Sequence, residues 1–258
     1  PHPSIEAVFT VDEEVGMDGA AALDCSDLKG RRLLNLDSEQ EGVFTVSCAG
    51  GMRMDCVLPA ERAAVSGGDC FALTVSGLQG GHSGGDIHLG RGSANQLMAR
   101  VLYSALERFP GLRLAALQGG QFDNVICSRC EAAVVLPQGG ADFADFIREF
   151  DGILKNEYAV TDPGVTLECA PAQASDAVRE ADTVRLLRTL LALPQGVEAM
   201  DTDFPGLVQT SLNMGVVTLA DGGLHVTFSV RSSVASRKEM LAQRVRAITE
   251  MAGGTVSE

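Results

Sequence analysis

Apolar and polar positions alternate most cleanly at Leu224, Val226, Phe228 and Val230, a period of two that predicts a half-buried strand. The same alternation marks strands over Met52–Leu58 and Phe71–Val75, with further strands near Leu112–Ala116, Ala132–Leu136, Val165–Cys169, Val197–Met200 and Ser211–Thr218. Between them the period changes to that of a helix. Leu97, Val101, Leu102 and Ala105 share one face, as do Phe143, Phe146, Ile147, Phe150, Ile153 and Leu154, and then Val184, Leu187, Leu190 and Leu191. A last helix opens at Ser236-Arg237-Lys238-Glu239, which has the form of a capping box. Helices interleaved with alternating strands predict two α+β sandwiches side by side.

The first fifty residues have another texture. Ala7-Val8-Phe9-Thr10-Val11 and Leu33-Leu34-Asn35-Leu36 are short apolar runs that predict buried strands, with a short helix over Gly16–Leu23 between them, capped by Asp18. A third strand is expected over Val43–Gly50. Strand, helix and strand in quick succession predict a parallel α/β unit, so the domain boundary falls near residue 50: 1–50 α/β, 51–258 α+β. The chain starts at Pro1 and ends on Gly-Gly-Thr-Val-Ser-Glu, and both ends read as cuts through a longer protein.

Composition narrows the function. Acidic residues outnumber basic ones by 34 to 20, a formal charge of −14, which argues against nucleic acid as a partner. No apolar run approaches the ~20 residues of a membrane span, so no membrane partner is expected and a cytoplasmic setting is the default. Seven cysteines, an odd and scattered number, fit reduced thiols better than a disulfide framework. Cys127-Ser128-Arg129-Cys130 lacks a second such pair to complete a zinc site and is expected to hold buried free thiols.

Two expected strands end on acids, Glu13-Glu14 and Asp37. In parallel α/β sheets the carboxyl ends of strands border the ligand crevice. One carboxylate there could hold a metal while its neighbour takes a proton from water. On spacing alone, three solvated loop acids are the commoner arrangement. Gly80-Gly81-His82-Ser83-Gly84-Gly85 sets His82 among small residues, open to a ligand or simply in a turn. Spacing leaves that choice open.

The order of several phrases goes further. Phe9-Thr10-Val11-Asp12-Glu13-Glu14-Val15-Gly16-Met17, Leu34-Asn35-Leu36-Asp37-Ser38-Glu39, Gly77–Gly85, Gly90-Arg91-Gly92-Ser93-Ala94-Asn95, Gly119-Gly120-Gln121-Phe122-Asp123-Asn124 and Val230-Arg231-Ser232-Ser233 follow one another along nearly the whole chain. Together they resemble the aminoacyl-histidine dipeptidases, of the aminoacylase and carboxypeptidase-G-like zinc metallopeptidases. The resemblance implies an α/β fragment of a zinc-peptidase catalytic domain followed by an α+β lid, a two-layer sandwich that closes over the substrate and forms a homodimer. It implies hydrolysis of short peptides such as Xaa-His dipeptides by metal-activated water. Glu13 is then the general base, Glu14 and Asp37 each bind one of two zinc ions, His82 stabilises the oxyanion, and Asn124 and Arg231 hold the substrate.

The chain departs from the family pattern in lacking the His-x-Asp motif and bridging Asp expected before Glu13, and the final zinc-binding His expected after the lid. Each zinc would keep one protein ligand where about three are usual, so the chain alone is expected not to retain zinc and to be inactive. Two rival expectations remain: a non-catalytic binding or dimerisation module, and a deacylase of N-acyl amino acids.

Overall fold

The computed structural model describes residues 2–13, 17–36, 41–45, 47–138 and 140–258. The chain divides into two compact units, Pro1–Ser47 and Cys48–Glu258. No helix among the described residues is long and apolar enough to cross a membrane.

In the first unit a single helical turn, α1 (Asp18–Ala21), forms where a short helix is expected. Its N-cap is Met17, and no side chain among the described residues caps it, in place of the expected cap at Asp18. The expected strands Ala7–Val11 and Leu33–Leu36 do not form. A strand needs a neighbour to pair its N–H and C=O groups, and these segments have no ladder partner among the described residues. Their apolar side chains accordingly stay outside: Phe9, Leu33 and Leu36 are 91%, 89% and 91% exposed. Of the described residues in the run Val43–Gly50, only Gly50 enters a strand, and Val46 lies outside the described residues.

The second unit opens with β1 (Gly50–Pro59), β2 (Arg62–Ala64) and β3 (Asp69–Ser76), then the two-residue β4 (Gly81–His82) and a 3-10 turn, Ile87–Leu89. Helix α2 (Ala94–Arg108) leads to β5 (Arg113–Gly119), β6 (Val125–Ile126), β7 (Cys130–Leu136), α3 (Gly140–Glu157) and β8 (Thr166–Pro171). After β9 (Asp176–Val178) come α4 (Glu180–Ala192), β10 (Gly196–Met200), β11 (Val208–Ala220), β12 (Gly223–Ser232), α5 (Ala235–Met251) and β13 (Thr255–Ser257).

One sheet runs β13-β1-β12-β11-β5-β7-β3-β8, with β10 paired to β11. It resolves into two motifs of the same βαββαβ form. The inner one is β3-α2-β5-β7-α3-β8, with spatial order β8-β3-β7-β5. The outer one is β1-α4-β11-β12-α5-β13, with order β13-β1-β12-β11, and the inner motif is inserted after its first strand. The motifs join edge to edge where Val217 and Thr218 pair antiparallel with Gly119 and Gln118. The contact is short because β10 occupies the opening stretch of the same edge of β11.

The buried faces of α2, α3, α4 and α5 merge with one face of this sheet in a single core. Leu224, Val226, Phe228 and Val230 point into it, and His225, Thr227, Ser229 and Arg231 take the opposite face. Under α3, Phe143 is fully buried and meets Phe109 edge-on at 5.2 Å. Truncating such a ring to Ala costs about 3–5 kcal/mol. Beneath β5 and β7 on the far face, the β2–β9 ribbon covers a smaller cluster of Ala115, Val135 and Ala177. Arg113 ties the ribbon down by donating to the carbonyls of Ala63 and Ala177, each at 2.6 Å. Helix α5 starts at Ala235, N-capped by Val234, so the capping box expected at Ser236 does not form. Instead the Ser232 hydroxyl accepts the Val234 N–H at 3.1 Å.

Candidate active site

The sheet face opposite the helices carries the polar residues singled out in the second unit. Arg231 lies on β12 between Gly51 of β1 and Ser211 of β11. It is half-buried, and its Nε is shielded from solvent with no hydrogen-bond partner among the described residues. The hydroxyl of Ser83, itself buried, also lacks one. A shielded donor without an acceptor is costly, so an unpaired guanidinium edge here suits an incoming carboxylate.

His82 approaches Arg231 from the inner motif. A Cβ placed on Gly84 would lie 3.0 Å from Cε1 of His82 and 3.3 Å from Cζ of Arg231, so the bare Cα of Gly84 packs beside both. The His82 ring is exposed. Its backbone is tied on several sides: β4 pairs with β6, the Asp86 carboxylate accepts the His82 N–H at 2.9 Å, and the Asn124 carbonyl accepts the Ser83 N–H at 2.8 Å. Arg91 donates to the Gly80 carbonyl at 2.6 Å and stands 3.8 Å from Asp86. Asp162, fully buried, pins both ends of the loop by accepting the N–H groups of Gln79 and Gly92, each at 2.8 Å.

Asn124 is half-buried on the segment between β5 and β6. That segment is held against β11 by Asn213, whose Nδ2 donates to the carbonyls of Asp123 and Val125 at 2.7 and 2.8 Å. Gln195 in turn donates to Oδ1 of Asn213 at 3.2 Å. The close approach requires glycines. Gly215 is the extra residue of a bulge between Met214 and Val216, and a Cβ there would sit 2.4 Å from the Cα of Asp123. Gly120 has φ +76, and its Cβ would fall 1.8 Å from the Gly215 carbonyl oxygen.

His82, Asn124 and Arg231 therefore gather in one region, and Asn213, Gln195 and Asp162 are supports that the sequence did not single out. An alternating strand marks Asn213 as a polar-face residue, but nothing in the spacing says that it reaches a distant loop. On the same face Asp55, by a hydrogen bond, and more weakly Asp123 hold the Arg53 guanidinium above its ordinary pKa. An open cleft of about 460 Å³ lies along the other side of the Asn124 segment, between Gln118, Phe122, Ser128 and Arg129. Neither His82 nor Arg231 lines it, so the polar cluster rather than the cleft is the candidate site.

Glu13 lies in the first unit and is exposed. Glu14 and Asp37 lie outside the described residues. Among the described residues no three His, Cys, Asp or Glu side chains gather so as to hold a metal ion, and these residues do not by themselves fit a metal centre. Cys127 and Cys130 are buried free thiols, as expected. Burial pushes the Cys127 thiol up and the Cys130 thiol well up, which makes them poor metal ligands and poor nucleophiles.

An antiparallel sheet of βαββαβ motifs with its helices on one side is an α+β sandwich, and residues 73–162 match the family of peptidase dimerisation domains. The likeness to dipeptidases extends beyond that stretch. The chain is 36% identical over 257 residues to the cytosol non-specific dipeptidase of Escherichia coli (strain K12), across 98% of this chain and 52% of that protein. Its structure matches the aminoacylhistidine dipeptidase of Vibrio alginolyticus with a TM-score of 0.85 at 35% identity, over 96% of this chain and 51% of the other. The chain thus spans about half the length of these relatives. The resemblance to the aminoacyl-histidine dipeptidases holds along almost all of it, and dipeptidases of that kind are generally metal-dependent.

Proposed function

We propose that this chain is the lid and part of the catalytic domain of a cytoplasmic, zinc-dependent dipeptidase. The observation that carries the proposal is the meeting of His82 and Arg231 across Gly84, in a chain that resembles dipeptidases over nearly its full length. The Arg231 fork pairs with the substrate's terminal carboxylate through two parallel hydrogen bonds. Asn124, held by its neighbours' carbonyls, offers an amide to the peptide. His82 donates to the carbonyl oxygen as charge develops on it, an interaction strongest in the transition state. Glu13 takes the proton of the attacking water.

Zinc is the proposed metal, two ions in the complete enzyme, with Glu14 and Asp37 as ligands; these roles rest on the family resemblance. Supporting a homodimer through the lid is the dimerisation-domain match over residues 73–162. Short peptides, Xaa-His dipeptides among them, are the proposed substrates. N-acyl amino acids share the carboxylate that Arg231 would bind, so a deacylase is the second reading.

The test is an assay of a panel of dipeptides and N-acyl amino acids, on this chain extended to the length of its dipeptidase relatives. Dipeptide cleavage that a chelator abolishes, and that His82→Ala and Arg231→Ala each reduce about 10²-fold or more, is the expected result. Cleavage of N-acyl amino acids alone would favour the deacylase. No metal-dependent cleavage of either class, with self-association intact, would leave a dimerisation or binding module.

A further inference from the structure

The loop after His82 folds back on the ring. The N–H groups of Gly84 and Gly85 both donate to Nδ1 of His82, at 3.2 Å each, so two consecutive amides form a small nest around one ring nitrogen. A ring nitrogen that accepts hydrogen bonds carries no proton, and a neutral imidazole then bears its proton on the other nitrogen, Nε2. We infer that Gly84 and Gly85 are positioning residues that fix His82 as an Nε2–H donor, so that it presents a proton and not a lone pair to whatever enters the site.

The assignment separates three roles a histidine could fill here. A metal-ligating histidine donates its second ring N–H to a carboxylate or carbonyl and turns a lone pair to the metal. His82 has the reverse arrangement. A general base also needs a lone pair on its outward nitrogen, which this tautomer withholds. A donor to a developing oxyanion needs the N–H that the tautomer supplies. The purpose of the arrangement rests on the dipeptidase reading, whereas the tautomer itself does not.

The two glycines contribute differently. At Gly84 a side chain would press on Cε1 and Nδ1 of His82, at 3.0 and 3.2 Å. At Gly85 an added Cβ would stand 3.9 Å from Nδ1, an ordinary contact. Position 85 can therefore carry a methyl group, and what it must keep is its N–H, which is shared between Nδ1 of His82 at 3.2 Å and the His82 carbonyl at 3.1 Å.

The experiment is a two-bond ¹H–¹⁵N correlation spectrum of the whole chain labelled in its histidines, with His82 assigned by loss of its signals in His82→Gln. At a pH where the ring is neutral, His82 is expected to show a protonated Nε2 and a hydrogen-bonded, unprotonated Nδ1. Gly85→Ala should leave that pattern in place, and Gly85→Pro, which removes the N–H, should move Nδ1 toward the free-imidazole position. A proton on Nδ1, or a Gly85→Pro spectrum identical to that of Gly85→Ala, would overturn the assignment. If Gly85→Pro does not fold, the exposed His225 serves as the internal reference: a His82 Nδ1 shift equal to that of His225 overturns it, and a displaced one supports it. These spectra require no turnover. A wrong tautomer removes the positioning role and leaves the dipeptidase proposal standing, and the right tautomer in an inactive extended protein does the converse.

Discussion

Asn213 holds Asn124 by the carbonyls on either side of it, reaching 2.7 Å to that of Asp123 and 2.8 Å to that of Val125. One amide on a sheet strand thus fixes the backbone of a loop residue. Asn213→Leu keeps the branched heavy-atom skeleton, removes both donors and leaves two carbonyls short of partners. It should cost about 1–3 kcal/mol in urea denaturation and speed hydrogen exchange at residues 120–125. A stability loss spread evenly over the protein, with no faster exchange in that segment, would contradict the clamp.

Asp162 should matter more than its distance in sequence from His82 implies. Its buried carboxylate accepts one N–H at each end of the loop, from Gln79 and Gly92. Hydrogen bonds to a charged group contribute about 1.5–3 kcal/mol each. Asp162→Ala should lose at least about 2 kcal/mol. Asp162→Asn should fall between it and the parent, because an amide offers one acceptor and turns a donor toward the other N–H. Equal denaturation midpoints for Asp162→Asn and the parent would refute the double anchor.

A pH dependence follows from Asp182. The hydrogen bond from Arg185, then the backbone N–H of Glu61, hold its carboxyl below the ordinary carboxylate range. The folded state therefore binds this proton less readily than the unfolded one. Its stabilisation is fully present above the unfolded value, about pH 4, and is lost as pH falls through the lower folded value. Asp182→Asn should be less stable than the parent at neutral pH, with the gap closing in acid. Urea midpoints across the acid range would show a constant gap if the ion pair contributed nothing.

Thiol reactivity should divide the cysteines by burial. Cys25 and Cys48 are exposed, whereas Cys56, Cys127 and Cys130 are buried and have raised thiol pKa values because burial disfavours the thiolate. A colorimetric disulfide reagent should find Cys25 and Cys48 quickly in the native chain and the three buried thiols only after denaturant is added. Fast labelling of Cys127 or Cys130 would show that the core around Asn95 opens readily.

Much of the sandwich was legible because its strands have one apolar and one polar face. Leu224, Val226, Phe228 and Val230 follow the pleat, and the phenylalanines of α3 follow the helical period. Residues 7–11 and 33–36 show the limit of that reasoning. Their composition is that of strands, but a ladder depends on neighbours that a local window does not name. The box at Ser236–Glu239 misled for a related reason, since the chain leaves β12 already turned into α5 and Ser232 satisfies the first free N–H. Around the site, the phrases carrying His82, Asn124 and Arg231 pointed to residues that the fold brings to one face. Asn213 and Asp162 were not legible, because each acts on main-chain groups far away in sequence and any side chain could precede those groups.

The insertion of one βαββαβ motif inside another also sets a timetable for the ribosome. Strand β1 emerges first, yet its partner β12 follows only after the entire inner motif and α4 have been made, as the pairing of Cys56 with Val226 requires. The inner motif can close its own sheet in the meantime, while β1 waits with Met54, Cys56 and Leu58 unburied. Synthesis that stalls before β12 would release a chain with a finished domain and a bare, sticky strand. That half-made product, more than any weakness of the mature fold, is where aggregation and chaperone capture should begin.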